Sequence, residues 1–160
     1  MKLLAVCLGN ICRSPMAEGA LRGRLDAAGL DWVETDSAGT GGWHAGEAPD
    51  RRAIACARGH GADIAGLRAR QLKAADFVHF DWLLCADTQN LRDARRTAPA
   101  GLAEKAVLLL DWAGLESGGE VADPYYGDAG DFERAWMQVD AAAQRIVARI
   151  ANRTAARHPA

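Results

Sequence analysis

The chain has 160 residues, of which 49% are apolar and 25% charged, and this composition fits one soluble globular domain large enough to bury a core. Its formal net charge of -2 provides no overall basic field, so neither nucleic acid nor an anionic membrane is expected as a partner. No apolar run is long enough to cross a bilayer, and the apolar start at residues 1–6 is too short for a secretory signal. We therefore expect a cytoplasmic protein with reduced cysteines.

The chain is predicted to begin with a strand, a short loop and a helix. Residues 3–8 form a continuous apolar run, typical of a strand that is covered on both faces of a parallel sheet. In the helix that follows, Ser14 is the expected cap, and its hydroxyl is also a candidate hydrogen-bond donor to Cys7. Pro15 suits the first turn and Gly29 is the expected stop.

The rest of the chain continues this alternation of apolar and amphipathic segments. The remaining strands are predicted at residues 32–37, 82–85 and 106–110, and the remaining helices at 50–61, 88–96 and 132–150. The last helix carries a single apolar stripe, and Asp131 is its predicted cap.

This pattern predicts a three-layer α/β fold, in which helices flank a four-stranded, mainly parallel sheet. One domain is expected over residues 1–160, with a frayed tail at 153–160. Ligands of such sheets gather beyond the carboxyl ends of the strands. The loop after the first strand is therefore the expected position of a binding site, and we interpret it as a phosphate loop.

That loop has the sequence Cys7-Leu-Gly-Asn-Ile-Cys-Arg-Ser-Pro15, with a cysteine six positions before an arginine. The pattern offers a thiolate nucleophile, Cys7, and a guanidinium fork, Arg13, to one phosphate-sized anion. Gly9 lets the backbone bend inward, Asn10 tolerates left-handed backbone angles, and the free amides of the helix start can hold phosphate oxygens. The pattern is typical of a cysteine-dependent phosphatase.

Simpler interpretations of the same residues remain open at this point. Cys7 and Cys12 could be small buried side chains beside a surface arginine, or their spacing could be half of a zinc site. A zinc site would need a second pair of ligands, whereas Cys56 is unpaired and His60 is merely near it. We therefore predict no metal and no cofactor. A nucleotide-binding loop is disfavoured because no Gly-Lys-Ser/Thr ending is present.

The stretch from Cys7 to Pro15, together with the following Met-Ala-Glu, resembles the signature of the low-molecular-weight protein tyrosine phosphatases. The resemblance covers nearly the whole chain, through Ser37-Ala38-Gly39-Thr40, Trp43-His44, Asn90-Leu91-Arg92-Asp93 and Asp123-Pro124-Tyr125-Tyr126. It implies the fold predicted above and an enzyme that hydrolyses phosphotyrosine monoesters through a cysteinyl-phosphate intermediate.

The resemblance also assigns the proton chemistry. An Asp-Pro pair by itself is usually just a turn. By resemblance, however, Asp123 is the general acid that protonates the leaving oxygen, and later the general base that activates water.

Substrate contacts are implied for the phosphate loop and for three aromatic side chains. Aromatic and aliphatic walls gain from burying a flat phenyl ring, while a short phosphoserine would not reach the loop. The implied binding residues are Leu8, Gly9, Asn10, Ile11, Cys12, Ser14, Trp43, Tyr125 and Tyr126.

Three further expectations rest on the same resemblance. A reversible bridge between Cys7 and Cys12 would block catalysis and protect the nucleophile from irreversible oxidation. Asp87 is expected to steady the loop. Some family members brace Asn10 with a histidine near the position of Gly66, so another group is expected to do so here.

Related activities remain as alternatives. Arginine-phosphate phosphatases carry threonine at the position of Ile11, and arsenate reductases relay oxidation through further cysteines, whereas Cys85 has no companion and position 92 is Arg92. A non-hydrolytic phosphocysteine carrier would lack an acid such as Asp123. The predicted substrate is a tyrosine-phosphorylated protein or peptide, the product is inorganic phosphate, and the chain is expected to be a monomer.

Overall fold

A four-stranded parallel sheet organises the computed structural model, which describes residues 1–157. Its strands are β1 (Lys2–Cys7), β2 (Glu34–Gly39), β3 (Trp82–Cys85) and β4 (Ala106–Leu108). They lie in the order β2-β1-β3-β4, and each neighbouring pair is parallel. The predicted α/β class and the four predicted strands are therefore confirmed, with shifted ends.

Six helices connect and cover these strands in the described part of the chain. They are α1 (Arg13–Ala27), α2 (Arg51–Gly59), α3 (Ala74–His79), α4 (Thr88–Thr97), α5 (Leu109–Trp112) and α6 (Ala129–Arg157), with a short 3-10 turn at Ala103–Lys105. The tail predicted to fray begins inside α6, and residues 158–160 lie outside the described residues. Within residues 1–157, no helix has both the length and the apolar character that a bilayer crossing requires.

The central strand β1 is buried on both faces, as its apolar run predicted. Leu3 and Ala5 point into a core shared with α1, α2 and α6, while Leu4 and Val6 point into a second core formed with α3 and α4. The exposed fraction of all four residues is 1% or less. Because β1 pairs with a neighbour on each side, its carboxyl end opens at the centre of the sheet edge.

Two predicted helix caps are wrong. Helix α1 begins at Arg13, so Ser14 lies inside its first turn, and its hydroxyl is engaged by Cys7 instead of capping the helix. Helix α6 begins at Ala129, so Asp131 also lies in a first turn. Asp128 and Asp131 each accept the backbone amide of the other, at 3.1 and 2.8 Å, which is the reciprocal arrangement of a capping box.

The sequence also missed two short helices. Residues 109 and 110 were predicted to extend the fourth strand, but they begin α5, because a continuous apolar run does not distinguish a buried strand from a buried helical turn. Helix α3 has only six residues, too few to show a helical period. By contrast, Gly29 follows α1 with a φ of 66°, the left-handed conformation expected of a helix stop.

Candidate active site

The loop between β1 and α1 lies at the carboxyl end of the central strand. Cys7 is the last residue of β1 and Arg13 is the first residue of α1. Each of them is only 3% exposed. The positive end of the α1 dipole therefore faces the same small volume as the Cys7 sulfur, which favours negative charge there.

The backbone of this loop is fixed by bonds to its carbonyl groups. The amides that donate these bonds come from the chain after β2 and from the start of α2. The three pairs are Thr40 N to Cys7 O at 2.9 Å, Gly41 N to Leu8 O at 2.9 Å and Asp50 N to Ile11 O at 2.8 Å. Among residues 1–157, the amides of residues 8–13 have no acceptor, so they remain available to an anion.

Asn10 locks the loop from behind. Its φ of 57° lies in the left-handed region, which Asn tolerates better than other residues with a side chain. The Asn10 side chain is buried and accepts the Arg70 amide at 3.0 Å. That bond orients the carboxamide, because its oxygen must face the Arg70 amide and its nitrogen must face the opposite way.

A directed chain of hydrogen bonds then leads from Asn10 to the sulfur. The Asn10 Nδ2 group donates to Ser14 Oγ at 2.8 Å and to Ser37 Oγ at 3.0 Å. Ser37 donates its own proton to Glu18 Oε2 at 2.6 Å. Ser14 Oγ lies 3.0 Å from Cys7 Sγ. Since Ser14 already accepts from Asn10, its hydroxyl proton can be donated to the sulfur or to the Ala38 carbonyl, which lies 3.4 Å away.

This chain takes the role that the resemblance assigns to a histidine near Gly66. Ser37, Ser14 and the Arg70 backbone amide brace Asn10 here. Burial raises the pKa of the Glu18 carboxyl above its usual range, although its hydrogen bond from Ser37 acts in the opposite direction.

Arg13 is held in place by two acceptors on its Nη1 atom. The carboxylate of Asp87, the N-cap of α4, accepts at 2.6 Å, and the Val121 carbonyl accepts at 2.9 Å. Burial opposes the charge of Arg13, but Cys7, Asp87 and Asp123 together raise the pKa of its guanidinium above the usual value. The guanidinium is therefore a fixed cation.

These residues surround a cleft of about 200 Å³. It is lined by Cys7, Leu8, Gly9, Ile11, Cys12, Arg13, Trp43, His44, Asp123, Tyr125 and Tyr126. Ten of the twelve site residues named from the sequence are in this set. The other two, Asn10 and Ser14, lie behind the loop and act through hydrogen bonds. His44 also lines the cleft.

Asp123 stands at the mouth of the cleft. Its Oδ2 atom lies 3.6 Å from Arg13 Nη2, its Oδ1 atom accepts the Tyr125 amide at 3.1 Å, and its side chain is 43% exposed. The aromatic side chains at the mouth are more open. Tyr126 is 95% exposed and Trp43 73% exposed, and the Tyr125 and Tyr126 rings meet edge to face with centroids 4.9 Å apart.

Arg52 is a site-supporting residue that the sequence analysis missed. It donates to the carbonyls of Tyr125 at 2.9 Å and Gly127 at 3.4 Å, and its guanidinium lies 4.6 Å from the centre of the Phe132 ring. Asp50, which starts α2, holds the same guanidinium at 2.9 Å. Arg52 thereby fastens the Asp123 loop to α2. An arginine in the first turn of a helix gives no sequence signal for this role.

The four cysteines are free thiols with different surroundings. Burial, with further contributions from Asp50 and Cys7, raises the pKa of Cys12 well above its usual range, so Cys12 is a neutral thiol on the same loop as Cys7. Burial raises the pKa of Cys85 to about 12, which agrees with the inert core position predicted for it.

The site as a whole combines a buried sulfur, a fixed cation and a loop of unpaired amides around one anion-sized space. A carboxylate reaches the mouth of the same space, where a leaving group would depart. This combination defines a cysteine-dependent phosphate site of the phosphatase type.

Comparison with known proteins gives the family. The family model described as low molecular weight phosphotyrosine protein phosphatase matches residues 2–156. A phosphatase of that name from Schizosaccharomyces pombe is 39% identical over 94% of this chain and 97% of its own. A low molecular weight protein-tyrosine-phosphatase from Streptomyces coelicolor is 44% identical over 91% of this chain and 90% of its own.

A solved structure gives the same answer. The crystal structure of a protein tyrosine phosphatase from Entamoeba histolytica, with Hepes in its active site, superposes with a TM-score of 0.89 at 30% identity. It covers 96% of this chain and 99% of its own. The chain therefore belongs to the low molecular weight phosphotyrosine protein phosphatases.

Gly39 tests how closely β2 supports the phosphate loop. A Cβ atom at Gly39 would lie 2.7 Å from Leu8 O and 3.0 Å from Asn10 N, so Gly39→Ala should push the loop out of position. We expect inorganic phosphate to bind at least about tenfold more weakly, a loss of about 1.4 kcal/mol, in isothermal titration.

Gly23→Ala is the matched control. Gly23 lies in α1, and a Cβ atom added there would have nothing within 4 Å, so the same substitution should leave phosphate binding unchanged. It should also raise the free energy of unfolding by about 0.5–1 kcal/mol, because alanine favours a helix interior more than glycine does. Equal phosphate affinities in the two variants would contradict the role given to Gly39.

Proposed function

We propose that this chain hydrolyses phosphotyrosine in proteins or peptides by a two-step mechanism with Cys7 as the nucleophile. The observation that carries the proposal is the cleft itself, in which the Cys7 sulfur, the Arg13 guanidinium and the Asp123 carboxylate all line one space. Membership of the phosphatase family supports the same activity.

In the first step, the Cys7 thiolate attacks phosphorus and a sulfur–phosphorus bond forms while the bond to the tyrosyl oxygen breaks. Asp123, protonated at this stage, transfers its proton to that oxygen, so tyrosine leaves as a neutral phenol. In the second step, Asp123 removes a proton from water, the water oxygen attacks phosphorus, and the thiolate leaves. The products are inorganic phosphate and the starting enzyme.

The protein contributes mainly charge placement to both steps. Arg13 and the amides of residues 8–13 stabilise the equatorial oxygens of the transition state, and they need little reorganisation because Asp87 and the loop bonds hold them in place. Ser14 donates to the sulfur, which stabilises the thiolate both before attack and as a leaving group.

Substrate choice follows from the depth and the walls of the cleft. The reactive groups are buried, while Leu8 and Tyr125 are 41% and 38% exposed and stand above them. A phenyl ring spans the distance from mouth to floor and packs against these walls, which a short serine side chain cannot do. Ile11 adds an aliphatic wall to the cleft. Because its side chain cannot form a hydrogen bond, this wall disfavours a substrate with a polar group at that position.

We also infer that the protein works as a monomer in the cytoplasm. A reducing compartment keeps a catalytic thiol reduced, and the four unbridged cysteines are compatible with one. The cleft is built from one copy of the chain, so a second copy is not needed to complete it.

Removing the nucleophile or the acid should have different signatures. Cys7→Ser should abolish turnover, because a hydroxyl is not ionised at neutral pH. Asp123→Asn should lower kcat by about 10²–10⁴-fold for phenyl phosphate and much less for para-nitrophenyl phosphate, whose leaving group needs no proton. Steady-state kinetics with both substrates measures this.

Asp26→Asn, a change at an exposed carboxylate on α1, is the control and should match the parent protein. Rapid quenching followed by mass spectrometry adds a second readout, since Asp123→Asn should accumulate cysteinyl phosphate. Durable cysteinyl phosphate in the parent protein would indicate a carrier and contradict the hydrolase.

The wall at Ile11 should select against phosphoarginine. Ile11→Thr supplies a hydroxyl to a guanidinium-type substrate and should raise kcat/KM for a phosphoarginine peptide relative to a phosphotyrosine peptide. Leu8→Thr, at a more exposed wall, should not give this change. An unchanged ratio in Ile11→Thr would show that this position does not set the choice.

We further propose that Cys12 protects Cys7 against peroxide. Hydrogen peroxide would convert the Cys7 thiolate to a sulfenic acid, and attack by the Cys12 thiol would then form the disulfide and release water. After peroxide treatment, a dithiol should restore activity to the parent protein but not to Cys12→Ala, while Cys56→Ala should recover like the parent. Full recovery of Cys12→Ala would refute the bridge.

A further inference from the structure

A second cluster of reactive side chains lies between α2 and the start of α6. Cys56 is on α2 and His60 follows four positions later at its C-terminal cap, so both are on one helix face. Glu133 reaches them from the second turn of α6, 73 residues after His60. The Cys56 sulfur lies 3.3 Å from Glu133 Oε1, and His60 Nε2 lies 2.7 Å from Glu133 Oε2.

These distances are close to those of a metal site. One sulfur, one imidazole nitrogen and one carboxylate oxygen all lie within 4.8 Å of one another. Around a tetrahedral zinc ion the same three atoms would be separated by about 3.3–3.6 Å, as follows from bond lengths of about 2.0–2.3 Å. To bind one ion, the Glu133 and His60 side chains would rotate until all three separations reach this range.

The surroundings already orient the three groups. The His60 ring stacks on Trp136, with centroids 5.2 Å apart and planes 12° from parallel, so its Nε2 atom is aimed at Glu133. Cys56 is 8% exposed, whereas the side chains of His60 and Glu133 are partly open to solvent. A cation can therefore reach the group from outside, and a water molecule can occupy a fourth position.

We propose that Cys56, His60 and Glu133 form a binding site for a zinc-class divalent cation, which revises the expectation of no metal because the fold adds Glu133 to the two residues on α2. The donor set of thiolate, imidazole and carboxylate suits zinc, and it argues against magnesium or calcium, which prefer oxygen ligands alone. The site is separate from the catalytic cleft, since none of its three residues lines that cleft.

The alternative explanation of this cluster is a simple ion pair. His79 with Glu34 and His44 with Glu47 show the same nitrogen–oxygen distance of 2.7 Å. Among residues 1–157, only the group at His60 adds a thiol within reach of such a pair. Burial and Glu133 raise the pKa of Cys56 to about 12, so a bound cation has to displace the thiol proton, which lowers the affinity at neutral pH.

Occupancy of this site would strengthen the contact that positions the acid loop. Arg52 lies one helical turn before Cys56, and it holds the backbone of Tyr125 and Gly127 from the same face of α2. A metal bridge from α2 to Glu133 would fix that face against α6. Because only the folded chain brings the three ligands together, the cation should raise the thermal unfolding temperature.

The experiment uses the full chain carrying Cys7→Ser, which removes the catalytic thiol as a competing ligand. Zinc chloride is titrated by calorimetry, and cobalt(II) is titrated as a spectroscopic probe, because a thiolate ligand gives cobalt a charge-transfer band in the near ultraviolet. We expect one equivalent of each ion to bind, with the thiolate band and an increase in unfolding temperature.

Cys56→Ser should remove the cobalt band, and Glu133→Gln and His60→Gln should each weaken zinc binding by more than about tenfold. His79→Gln and Glu34→Gln are the controls. Each disrupts the His79–Glu34 ion pair, which has the same geometry but no thiol beside it, and each should leave zinc binding unchanged. Glu133 is an exposed helix residue, so its variant should remain folded and its result is decisive.

Three results would overturn the proposal. The first is an absence of zinc binding in the Cys7→Ser protein, and the second is a cobalt–thiolate band that persists in Cys56→Ser. The third is an equal loss of zinc affinity in Glu133→Gln and Glu34→Gln. None of these results bears on the hydrolysis of phosphotyrosine, so the two proposals stand or fall separately.

Discussion

The structure depends on one constraint, which is that the carbonyl groups of the phosphate loop are bonded from outside. Thr40, Gly41 and Asp50 donate their amides to this loop, and the loop's own amides are thereby left for an anion. The donors come from two different segments, the chain after β2 and the start of α2. The order of the sheet, with β1 at its centre, is what brings both segments to the same strand end.

Behind the loop, the buried side chains form a hydrogen-bonded polar network and not an apolar contact. Asn10 can hold its left-handed conformation because every polar atom of its side chain has a partner, and those partners lead to the sulfur through Ser14. A buried network of this kind is stable only when it is fully satisfied. It fixes the shape of the loop and holds the Ser14 hydroxyl beside the Cys7 sulfur.

Helix α2 connects the parts of the site that are far apart in the sequence. Its first turn bonds the phosphate loop through Asp50 and the acid loop through Arg52, and its last turn meets α6 through Cys56 and His60. The distance between the sulfur and the acid is therefore set partly by this helix. The proposed metal site would act on the same element at its other end.

The sequence by itself determined the strand–loop–helix unit, because an apolar run, a glycine and an Asx residue in the loop, and a proline in the first helical turn are local signals. From that unit followed the predicted nucleophile and the predicted anion-binding arginine, while the parallel sheet followed from the alternation of apolar and amphipathic segments along the chain. Asp123 needed a resemblance to a known family, since an Asp-Pro pair alone predicts only a turn.

The resemblance predicted that Asp87 steadies the loop, but only the tertiary structure shows that Asp87 contacts Arg13 and which other groups complete the site. The Asp87 and Val121 acceptors of Arg13 lie 74 and 108 residues away from it, and Glu133 lies 77 residues from Cys56. No spacing rule connects such positions, because contacts across this fold depend on strand order and helix packing. Ser14 shows the same limit on a smaller scale, since the sequence offered its hydroxyl both as a helix cap and as a donor to Cys7, and only the fold shows that it lies beside the sulfur and not at the cap.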